Sequence, residues 1–506
     1  MLTSLERARF AVIGGGLSGL TAAFSLRRMA PEAAVDLFES SDRLGGPLNT
    51  HDYGDFVWEQ GADSFTTKLP WALELCETLG LGDQLQPTSP TQRRALVVCH
   101  GRLEPVPAGF VLMRPQRVGS VLTSRVLSLQ AKLRLLREPF IKPHPGVADE
   151  NHDESVASFA KRRLGQETFE RLVQPLLGGI YVADAERLSL AATMPEFLEA
   201  ERRYGSLWRA PLDAPTASEH RRAGADDDES ADALHAQGAR YHAFLAPRRG
   251  LSQLVDALAS HLESSRIFLR AGAEEVRRCG GGQWRVVCKE GPEVAREAAE
   301  QPYDGILLAV AAPRAAKLLG KIDAEVAAEL AAIEYASSAV VNLGYRPEQF
   351  ADPLAGFGFV VPEVERLNLV AASFPGVKFA NRSSTECVPI RGFVGGAKNP
   401  EIVDWDDQRL IDTVHRELEP LLKISGRPAV TRVARWYQAM PQYHVGHVAR
   451  LRRIERSLNE LPGCEVAGNS YEGVGIPQCV RSGLLAAERL VSHAQAECGA
   501  TSAEAR

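Results

Sequence analysis

Paired cysteines are missing from this sequence of 506 residues. Its eight cysteines are scattered, with no CxxC pair and no histidine partners at zinc-binding spacing, so the sequence predicts neither a disulfide framework nor a metal site. Such cysteine usage is typical of proteins in a reducing compartment. We therefore expect a cytoplasmic protein that binds no metal.

Long apolar runs and an excess of positive charge are missing as well. No stretch approaches the roughly 18 apolar residues of a membrane-spanning helix, and the best late candidate, 305–313, has the length of a buried strand. A net charge of −6 argues against a general nucleic-acid-binding protein. With 45% hydrophobic residues, the chain is long enough to form a large core divided between two or three domains.

A glycine-rich junction between a strand and a helix is present near the start. Residues 10–13 are apolar and rich in strand formers, and a GxGxxG pattern follows them at once. Such glycines permit a tight turn, a close approach of the backbone to a pyrophosphate, and close packing of helix on strand, while the helix N-terminus holds the phosphates. The predicted phosphate-binding residues are Gly14, Gly15, Gly16, Leu17, Ser18 and Gly19.

A second strand, 35–38, follows the helix and ends at Glu39. This residue lies about 20 positions past the last glycine of the pattern, where an acceptor for ribose hydroxyls is expected. The strand, junction, helix and second strand together predict a dinucleotide-binding α/β domain of Rossmann-like topology.

The residues after Glu39 supply a basic side chain and a second glycine turn. They resemble the FAD-binding signature of the amine oxidase and phytoene desaturase superfamily of flavoproteins, which implies FAD in preference to NAD. No attachment cysteine follows the covalent pattern of that superfamily, so the expected FAD is non-covalent. The resemblance assigns to the cofactor Ser40, Arg43, Gly45, Gly46 and Pro47.

Two further segments narrow the resemblance to the oxygen-dependent, FAD-containing protoporphyrinogen and coproporphyrinogen oxidases. Residues 61–65, GADSF, are similar to the flavin-proximal turn of the bacterial branch, although Ala62 replaces the usual proline. Residues 468–477, GNSYEGVGIP, resemble the C-terminal signature, in which a helix N-terminus stabilises charge on the flavin. The implied cofactor residues are Gly61, Ala62, Asp63, Ser64, Val474, Gly475 and Ile476, with Val276 at the adenine end.

Residues for the substrate are implied by the same resemblance. Arg94 stands where the family pairs an arginine with a propionate of the tetrapyrrole, and a planar guanidinium suits that task. Gly179 matches a family segment that approaches the substrate, and the pocket residues are expected to be Phe357, Val360 and Phe393. The alternatives are a solvated arginine at a strand edge and ordinary core packing of the apolar residues.

The implied activity is oxidation of coproporphyrinogen III to coproporphyrin III, with O2 as the acceptor and H2O2 as a product. Alternatives are oxidation of protoporphyrinogen IX to protoporphyrin IX, another flavin amine oxidase or carotenoid desaturase, and a non-catalytic flavin-binding assembly protein. We name no catalytic base, because hydride transfer to flavin N5 needs orientation more than a side-chain base. For His444 and His447 a structural or flavin-shell role is favoured.

Residues 108–143 carry seven basic residues against one acid, interleaved with apolar residues, which favours helices that adsorb to an anionic membrane surface. The alternative is a solvated helical face. Such adsorption would place the protein on the inner face of the cell membrane. Other expected partners are haem-pathway enzymes and a second copy of the chain.

The predicted fold combines an α/β FAD-binding domain, a mixed α+β substrate-binding domain and a helical, membrane-associating region. The FAD-binding domain is expected from 5–75, 243–310 and 434–495, and the substrate-binding domain from 76–92, 210–242 and 311–433. The helical region is expected to be 93–209. Residues 211–240, with their acidic run, are expected to form a mobile loop.

Overall fold

A computed structural model of the chain describes residues 8–115, 117–211, 244–262 and 266–504. The expected mobile loop, apart from Pro211, lies outside the described residues. The fold consists of a parallel sheet with its helices, a mainly antiparallel sheet, and a helical region that packs beside the second sheet.

The first sheet has five parallel strands, in the spatial order Arg266–Phe268, Ala34–Phe38, Arg9–Ile13, Gly305–Leu308 and Cys464–Val466. Successive residues of the central strand enter two different cores, Phe10 and Val12 on one face, Ala11 and Ile13 on the other. A strand buried on both faces needs a continuous apolar sequence, as in a parallel sheet covered by helices. The predicted Rossmann-like sheet is therefore present.

Helices cover both faces of this sheet. Leu17–Met29, Trp71–Thr78, Ser252–Ser260 and the long Ile476–Glu504 contribute to one core, and Glu293–Glu300, Ala312–Leu319, Ala324–Ala331 and His447–Asn459 to the other. Where the first and last helices cross, a Cβ on Gly483 would lie 2.3 Å from the Ser18 carbonyl oxygen. Their backbones can approach this closely only because Gly483 has no side chain.

The second sheet has seven strands, in the order Val430–Pro441, Tyr335–Tyr345, Val388–Gly395, Leu369–Ser373, Gly358–Val360, Leu96–Cys99 and Arg102–Pro105. All its pairs are antiparallel except that between Gly358–Val360 and Leu96–Cys99. Helix Asp407–Leu422 packs on one face, against Val341 and Leu343. The alternate residues of these strands point to the other face, toward the cofactor-binding elements.

The remaining strands form small sheets at the edges. Two hairpins pair Thr50–Asp52 with Val57–Glu59 and Glu275–Arg278 with Trp284–Val287, and a third joins Phe110–Val111 to Arg114–Pro115. A three-stranded sheet has the order Phe65–Thr66, Phe244–Pro247 and Leu85–Pro87. The hairpin that contains Val57–Glu59 leads directly into the predicted flavin-proximal turn.

The helical region contains Val118–Thr123, Leu129–Leu136, Val156–Leu164, Gln166–Thr168, Gln174–Tyr181, Leu190–Thr193 and Pro195–Tyr204, with π-helical geometry over Phe169–Val173. Arg163, which is fully buried, forms ion pairs with Glu138 and, at 3.3 Å, with Glu201. These pairs fix Glu138, near the end of the basic residues 108–143, to the later helices Val156–Leu164 and Pro195–Tyr204. In the part of the chain described here, no helix is long and apolar enough to cross a membrane.

Strand pairing crosses the domain boundaries expected from the sequence. Strand Val430–Pro441 lies wholly in the second sheet, although 434 was the expected start of an FAD-binding segment. Strand Leu96–Cys99 also joins the second sheet, although it was expected in the helical region. Helices Ala312–Leu319 and Ala324–Ala331 pack in the core of the first sheet, beyond the expected boundary at 310. Sequence alone does not reveal these long-range partners.

Candidate cofactor and substrate site

The first glycine junction has little room for side chains at Gly14 and Gly19. Gly14 has φ +109°, and a Cβ there would lie 2.3 Å from the Ala309 carbonyl oxygen, while a Cβ on Gly19 would lie 1.9 Å from the Gly14 oxygen. At Gly16, by contrast, a Cβ would have nothing within 4 Å. The junction is thus tight toward the protein and open on the side expected to receive a pyrophosphate.

Helix Leu17–Met29 begins at this junction without a side-chain cap. No side chain therefore competes for its first backbone N–H groups, and the helix dipole favours an anion there. The hydroxyl of the predicted phosphate-binding residue Ser18 instead donates to the Cys479 carbonyl oxygen at 2.9 Å. Ser18 thus joins the first helix to the last, and its hydroxyl is engaged within the protein.

Glu39 and Arg43 hold the two glycine turns together. The Glu39 carboxylate accepts from the Gly15 N–H and the Ser41 N–H, each at 2.7 Å. The Arg43 guanidinium donates to the carbonyl oxygens of Gly46 at 2.6 Å and Leu44 at 3.1 Å. The Gly45 N–H donates to the Gly15 oxygen at 2.8 Å, so the second turn lies directly against the first. The ribose-binding role of Glu39 stays a prediction.

Ser40 is exposed close to Gly272, where a Cβ would lie 3.2 Å from that of Ser40. Val276 is buried in the hairpin beside the first sheet, so only its main chain could contact a ligand. Pro47 contacts the predicted flavin-proximal turn, because a Cβ on Gly61 would lie 2.2 Å from the Pro47 oxygen. The glycine turns and the flavin-proximal turn are therefore continuous in space.

The flavin-proximal turn, 61–64, is held by two cations, Arg391 in the second sheet and Lys378 at the end of the short helix Pro375–Lys378 between two strands of that sheet. Lys378 Nζ lies 2.7 Å from Asp63 Oδ1 and 2.9 Å from Ser64 Oγ. Arg391 reaches the Gly61 carbonyl oxygen and lies 3.3 Å from Asp63 Oδ2. Burial alone would raise the pKa of Asp63, but Lys378 and Arg391 outweigh it and hold that pKa well below its usual range. Ala62 is exposed.

The C-terminal glycine junction is held by aromatic side chains. The Tyr443 hydroxyl donates to the Asn469 carbonyl oxygen at 2.5 Å and accepts from the Gly473 N–H at 3.0 Å. The Tyr335 hydroxyl lies 2.5 Å from Ser470 Oγ. Helix Ile476–Glu504 begins directly after these turns, with Val474 and Gly475 at its N-terminus. The first and last helices thus both present N-termini beside glycine turns.

His447 packs against this junction through contacts with Tyr443 and Tyr471. Its ring stacks on Tyr443 with centroids 4.2 Å apart, and Nε2 lies 3.1 Å from the Tyr471 carbonyl oxygen. Burial lowers the pKa of His447 to about 4. His444 also has a lowered pKa, mainly through burial, and lies 3.6 Å from Glu334. A structural role for His447, favoured from the sequence, agrees with these contacts.

Two predicted substrate residues, Val360 and Phe393, share one face of the second sheet, and the helix that contains Gly179 packs against this face. Val360 pairs with Ala371, and Ala371 pairs with Phe393 on the next strand, so their side chains point the same way. A Cβ on Gly179 would lie 3.5 Å from Val360 Cγ1. Val360 and Val474 also pack against the core of the helical region. Gly179 is exposed and Val360 and Phe393 are half-buried, so these residues form a partly open apolar surface where sheet and helix meet, which we call the apolar recess.

Arg94 and Phe357 form a separate pair at the end of the sheet. The Phe357 N–H donates to the Arg94 carbonyl oxygen at 3.0 Å, and Phe357 is buried. The exposed Arg94 guanidinium donates to Gln92 Oε1 at 3.2 Å and lines a cavity of about 270 Å³ with Leu96 and Leu421. Leu96 belongs to the core on the opposite face from Val360. The structure does not bring Arg94 together with Gly179, Val360 and Phe393.

Sequence reasoning missed Lys378, Arg391, Tyr335 and Tyr443. One signal was available for Arg391, a lone charge in the otherwise apolar strand Val388–Gly395, where a buried cation needs a buried partner. Its partners lie in the turn 61–64, more than 300 residues earlier. No local pattern identifies them.

The profile of the flavin containing amine oxidoreductase family matches residues 17–491 of the chain. The chain belongs to this family. It is an FAD-dependent oxidoreductase, which confirms the cofactor and the enzyme class expected from the two glycine junctions. The open side of Gly16 and the uncapped helix that follows fit the phosphates of such a cofactor.

Individual relatives are similar to this chain over nearly its whole length and nearly the whole of theirs. The coproporphyrinogen III oxidase of Propionibacterium freudenreichii is 31% identical over 501 residues, covering 96% of this chain and 91% of that protein. The coproporphyrinogen III oxidase of Staphylococcus aureus is 27% identical, covering 95% and 98%. The crystal structure of a candidate protoporphyrinogen oxidase from Exiguobacterium sp. 255-15 is 28% identical, with a TM-score of 0.78 and coverage of 95% and 98%.

Two glycine substitutions should separate folding from cofactor binding. Gly19→Ala places a Cβ against backbone, so we expect it to destabilise the fold by about 3 kcal/mol and to prevent FAD retention. Gly16→Ala fills only open space, so thermal stability of the apoprotein should stay near wild type while FAD affinity falls about tenfold or more. Flavin released on denaturation and apoprotein melting curves measure the two effects. Full FAD retention by Gly16→Ala would contradict the assignment.

The lowered pKa of His447 makes stability depend on pH. Above about pH 6.5 the residue is neutral in both folded and unfolded chains; below it the unfolded chain binds a proton that the folded chain resists until about pH 4. The free energy of unfolding should therefore fall by about 3 kcal/mol between these limits. In His447→Asn this decrease should be smaller, while His100→Asn, at an exposed turn, should behave as wild type. Denaturant titrations across this pH range supply the measurement.

Proposed function

We propose that this flavoenzyme oxidises coproporphyrinogen III to coproporphyrin III, with O2 as the acceptor and H2O2 as a product. The observation that supports this most directly is the position of the apolar recess. Val360 of the recess and Val474 of the C-terminal junction pack against the same core cluster, so a flat ring in the recess would lie near the proposed cofactor position. The two bacterial relatives named coproporphyrinogen III oxidase support the choice of substrate.

When bound, the flavin supplies the acceptor for hydrogen removed from a methylene bridge and the centre at which O2 is reduced. The chain's own residues bind the cofactor and orient the substrate. The junction at Gly16 holds phosphates, and the N-terminus of Ile476–Glu504 stabilises negative charge. Val360, Phe393 and Gly179 hold the ring and exclude water. Arg94 lies apart from this recess, on the side of the sheet that carries Leu96, and is kept as the proposed contact for a carboxylate at the edge of the substrate. We propose that the FAD is bound without a covalent link.

Protoporphyrinogen IX is the second candidate substrate, and the name of the Exiguobacterium structure favours it. The two substrates differ in how many carboxylates replace vinyl groups. Under nitrogen, coproporphyrinogen should bleach the flavin faster than protoporphyrinogen, and admission of air should give peroxide and restore the absorbance. Faster bleaching by protoporphyrinogen would reverse the order of substrates. Bleaching only by amines or polyenes would assign the enzyme to another branch of the family.

Arg94 is the proposed partner of a substrate carboxylate. Removal of a charge-assisted hydrogen bond costs roughly 1.5–3 kcal/mol, so Arg94→Ala should raise the KM for coproporphyrinogen about tenfold or more at unchanged FAD content. Arg94→Lys should recover only part of this loss, because an ammonium lacks the bidentate fork. Arg102→Ala removes an exposed arginine from the same hairpin and serves as the control. If Arg94→Ala has a wild-type KM, Arg94 does not contact the substrate and the substrate pocket is limited to the apolar recess.

We propose further that residues 108–143 adsorb to an anionic membrane surface. Leu122, Leu129, Leu133 and Phe140 are exposed, with exposed fractions of 45%, 72%, 52% and 81%, and the basic residues Arg125, Arg137 and Lys142 are exposed nearby. Ala131 and Leu135 are buried, so helix Leu129–Leu136 has one protein-facing and one solvent-facing side. Exposed apolar and cationic groups together favour peripheral binding to anionic headgroups. Arg134 is engaged by the carbonyl oxygens of Arg162 and Arg163 and does not contribute.

Vesicle flotation tests this surface. The protein should float with phosphatidylglycerol vesicles and less with phosphatidylcholine vesicles, and added salt should weaken binding by screening. Replacing Leu129 and Leu133 by serine should abolish most flotation, while Val364→Ser, at an exposed site beside the second sheet, should not. Equal, negligible flotation on both vesicle types would show that residues 108–143 form an ordinary solvated helical face. Association with haem-pathway enzymes or a second copy stays a prediction.

A further inference from the structure

A cluster of five charged side chains lies beneath the flavin-proximal turn. We call it the turn cluster, and none of its side chains is more than 15% exposed. Two members are carboxylates from the first part of the chain and three are cations from the substrate side. They are Glu59, Asp63, Lys378, Arg382 and Arg391.

One arm of the cluster surrounds Asp63. Lys378 bonds Asp63 and Ser64, and its ammonium also lies 5.2 Å from the centre of the Phe379 ring. Arg391 contacts Asp63 from the other side and bonds the Gly61 carbonyl oxygen. The turn is thus fixed between two cations.

The other arm surrounds Glu59. Arg382 Nη2 lies 3.8 Å from Glu59 Oε1, which accepts from the Leu251 N–H at 2.8 Å. Thr50 Oγ1 donates to the second carboxylate oxygen at 2.8 Å. Arg382 also donates to the carbonyl oxygens of Pro247 and Arg248 at 2.8 and 3.0 Å. This arm fixes the strand that leads into the turn.

Positive charge exceeds negative charge in the turn cluster, because three cations face two carboxylates. Nε of Arg382 and Nε of Arg391 have no hydrogen-bond partner among the described residues, although both atoms are buried. Burial lowers the pKa of each arginine, which reflects the cost of holding these charges away from water. A cationic surplus held at such a cost stabilises any negative charge that forms nearby.

We propose that the turn cluster raises the reduction potential of the bound FAD, with Lys378 as a positioning residue that supplies the surplus charge and Asp63 as its partial counterweight. This inference rests on the proposed function and on the position that the family resemblance predicts for the flavin, beside residues 61–64. A hydride delivers two electrons and one proton, so the flavin gains one negative charge until it takes up a further proton. A nearby positive surplus favours that reduced state, and less of it is lost to screening because the site is partly desolvated.

Substitutions of opposite sign test the proposal. Lys378→Met removes a positive charge, so the potential should become more negative and the ratio of reduced to oxidised flavin at a fixed dye potential should fall roughly tenfold. Asp63→Asn removes a negative charge and should shift the potential the other way. Lys378→Arg keeps the charge and should stay near the wild-type potential. A purely structural role predicts loss of stability in all variants without this ordering.

Lys398→Met supplies a matched control. Lys398 also pairs with carboxylates, lying 2.8 Å from Glu363 and 3.4 Å from Asp184, but it is 39% exposed and has no contact with the turn cluster. Its substitution should leave the potential unchanged. A shift equal to that of Lys378→Met would show a nonspecific effect of net charge and overturn the proposal.

The potential is measured on purified holoprotein by anaerobic reduction with xanthine and xanthine oxidase in the presence of a reference dye, without any porphyrinogen. Potentials in the order Asp63→Asn above wild type above Lys378→Met support the proposal. Equal potentials, or shifts of the same sign, overturn it even if porphyrinogens bleach the flavin. An ordered series in an enzyme that no porphyrinogen reduces would overturn the proposed substrate and leave the turn cluster's role standing.

Discussion

The close approach of backbone to backbone at the first glycine junction is the constraint on which the site depends. Gly19 lies so near the Gly14 carbonyl that no side chain fits between them, and this contact fixes the N-terminus of helix Leu17–Met29 beside the open side of Gly16, where the phosphates are expected. The last helix repeats the arrangement and crosses the first at Gly483. One sheet edge thereby carries two helix N-termini, which together favour a ligand with negative charge at both places.

Between these junctions, the two halves of the molecule are joined by charge. The turn 61–64 comes from the cofactor-binding half, while Arg391 comes from the second sheet and Lys378 from the short helix between two of its strands. A buried ion pair contributes little to stability by itself, but breaking one is costly because a charge is left without its partner. Such pairs therefore specify the relative position of turn and sheet more than they stabilise the fold.

The proposed substrate-binding side is formed mainly by apolar residues and not by ion pairs. Apolar residues on one face of the second sheet and the helix ending at Tyr181 form the recess. An apolar surface of this kind suits the flat ring of the proposed substrate. The same helical region has exposed apolar residues at Leu129 and Phe140, which belong to the surface proposed to adsorb to a membrane.

Local patterns in the sequence determined the dinucleotide junction, the parallel strands beside it, and the C-terminal glycine turns. Each rests on residues close together in the chain, where glycine positions and apolar periodicity act directly on backbone geometry. The predictions of a flavin cofactor and a porphyrinogen substrate came from the family resemblance, and the family comparison confirmed the flavin.

Only the tertiary structure decided which sheet each strand joins, which face Arg94 lies toward, and that Arg391 and Lys378 meet the turn at Asp63. Contacts between residues hundreds of positions apart depend on strand register, and a shift of one residue would turn every side chain to the opposite face. That register is fixed by burial of the whole sheet against its neighbours, which no short stretch of sequence contains.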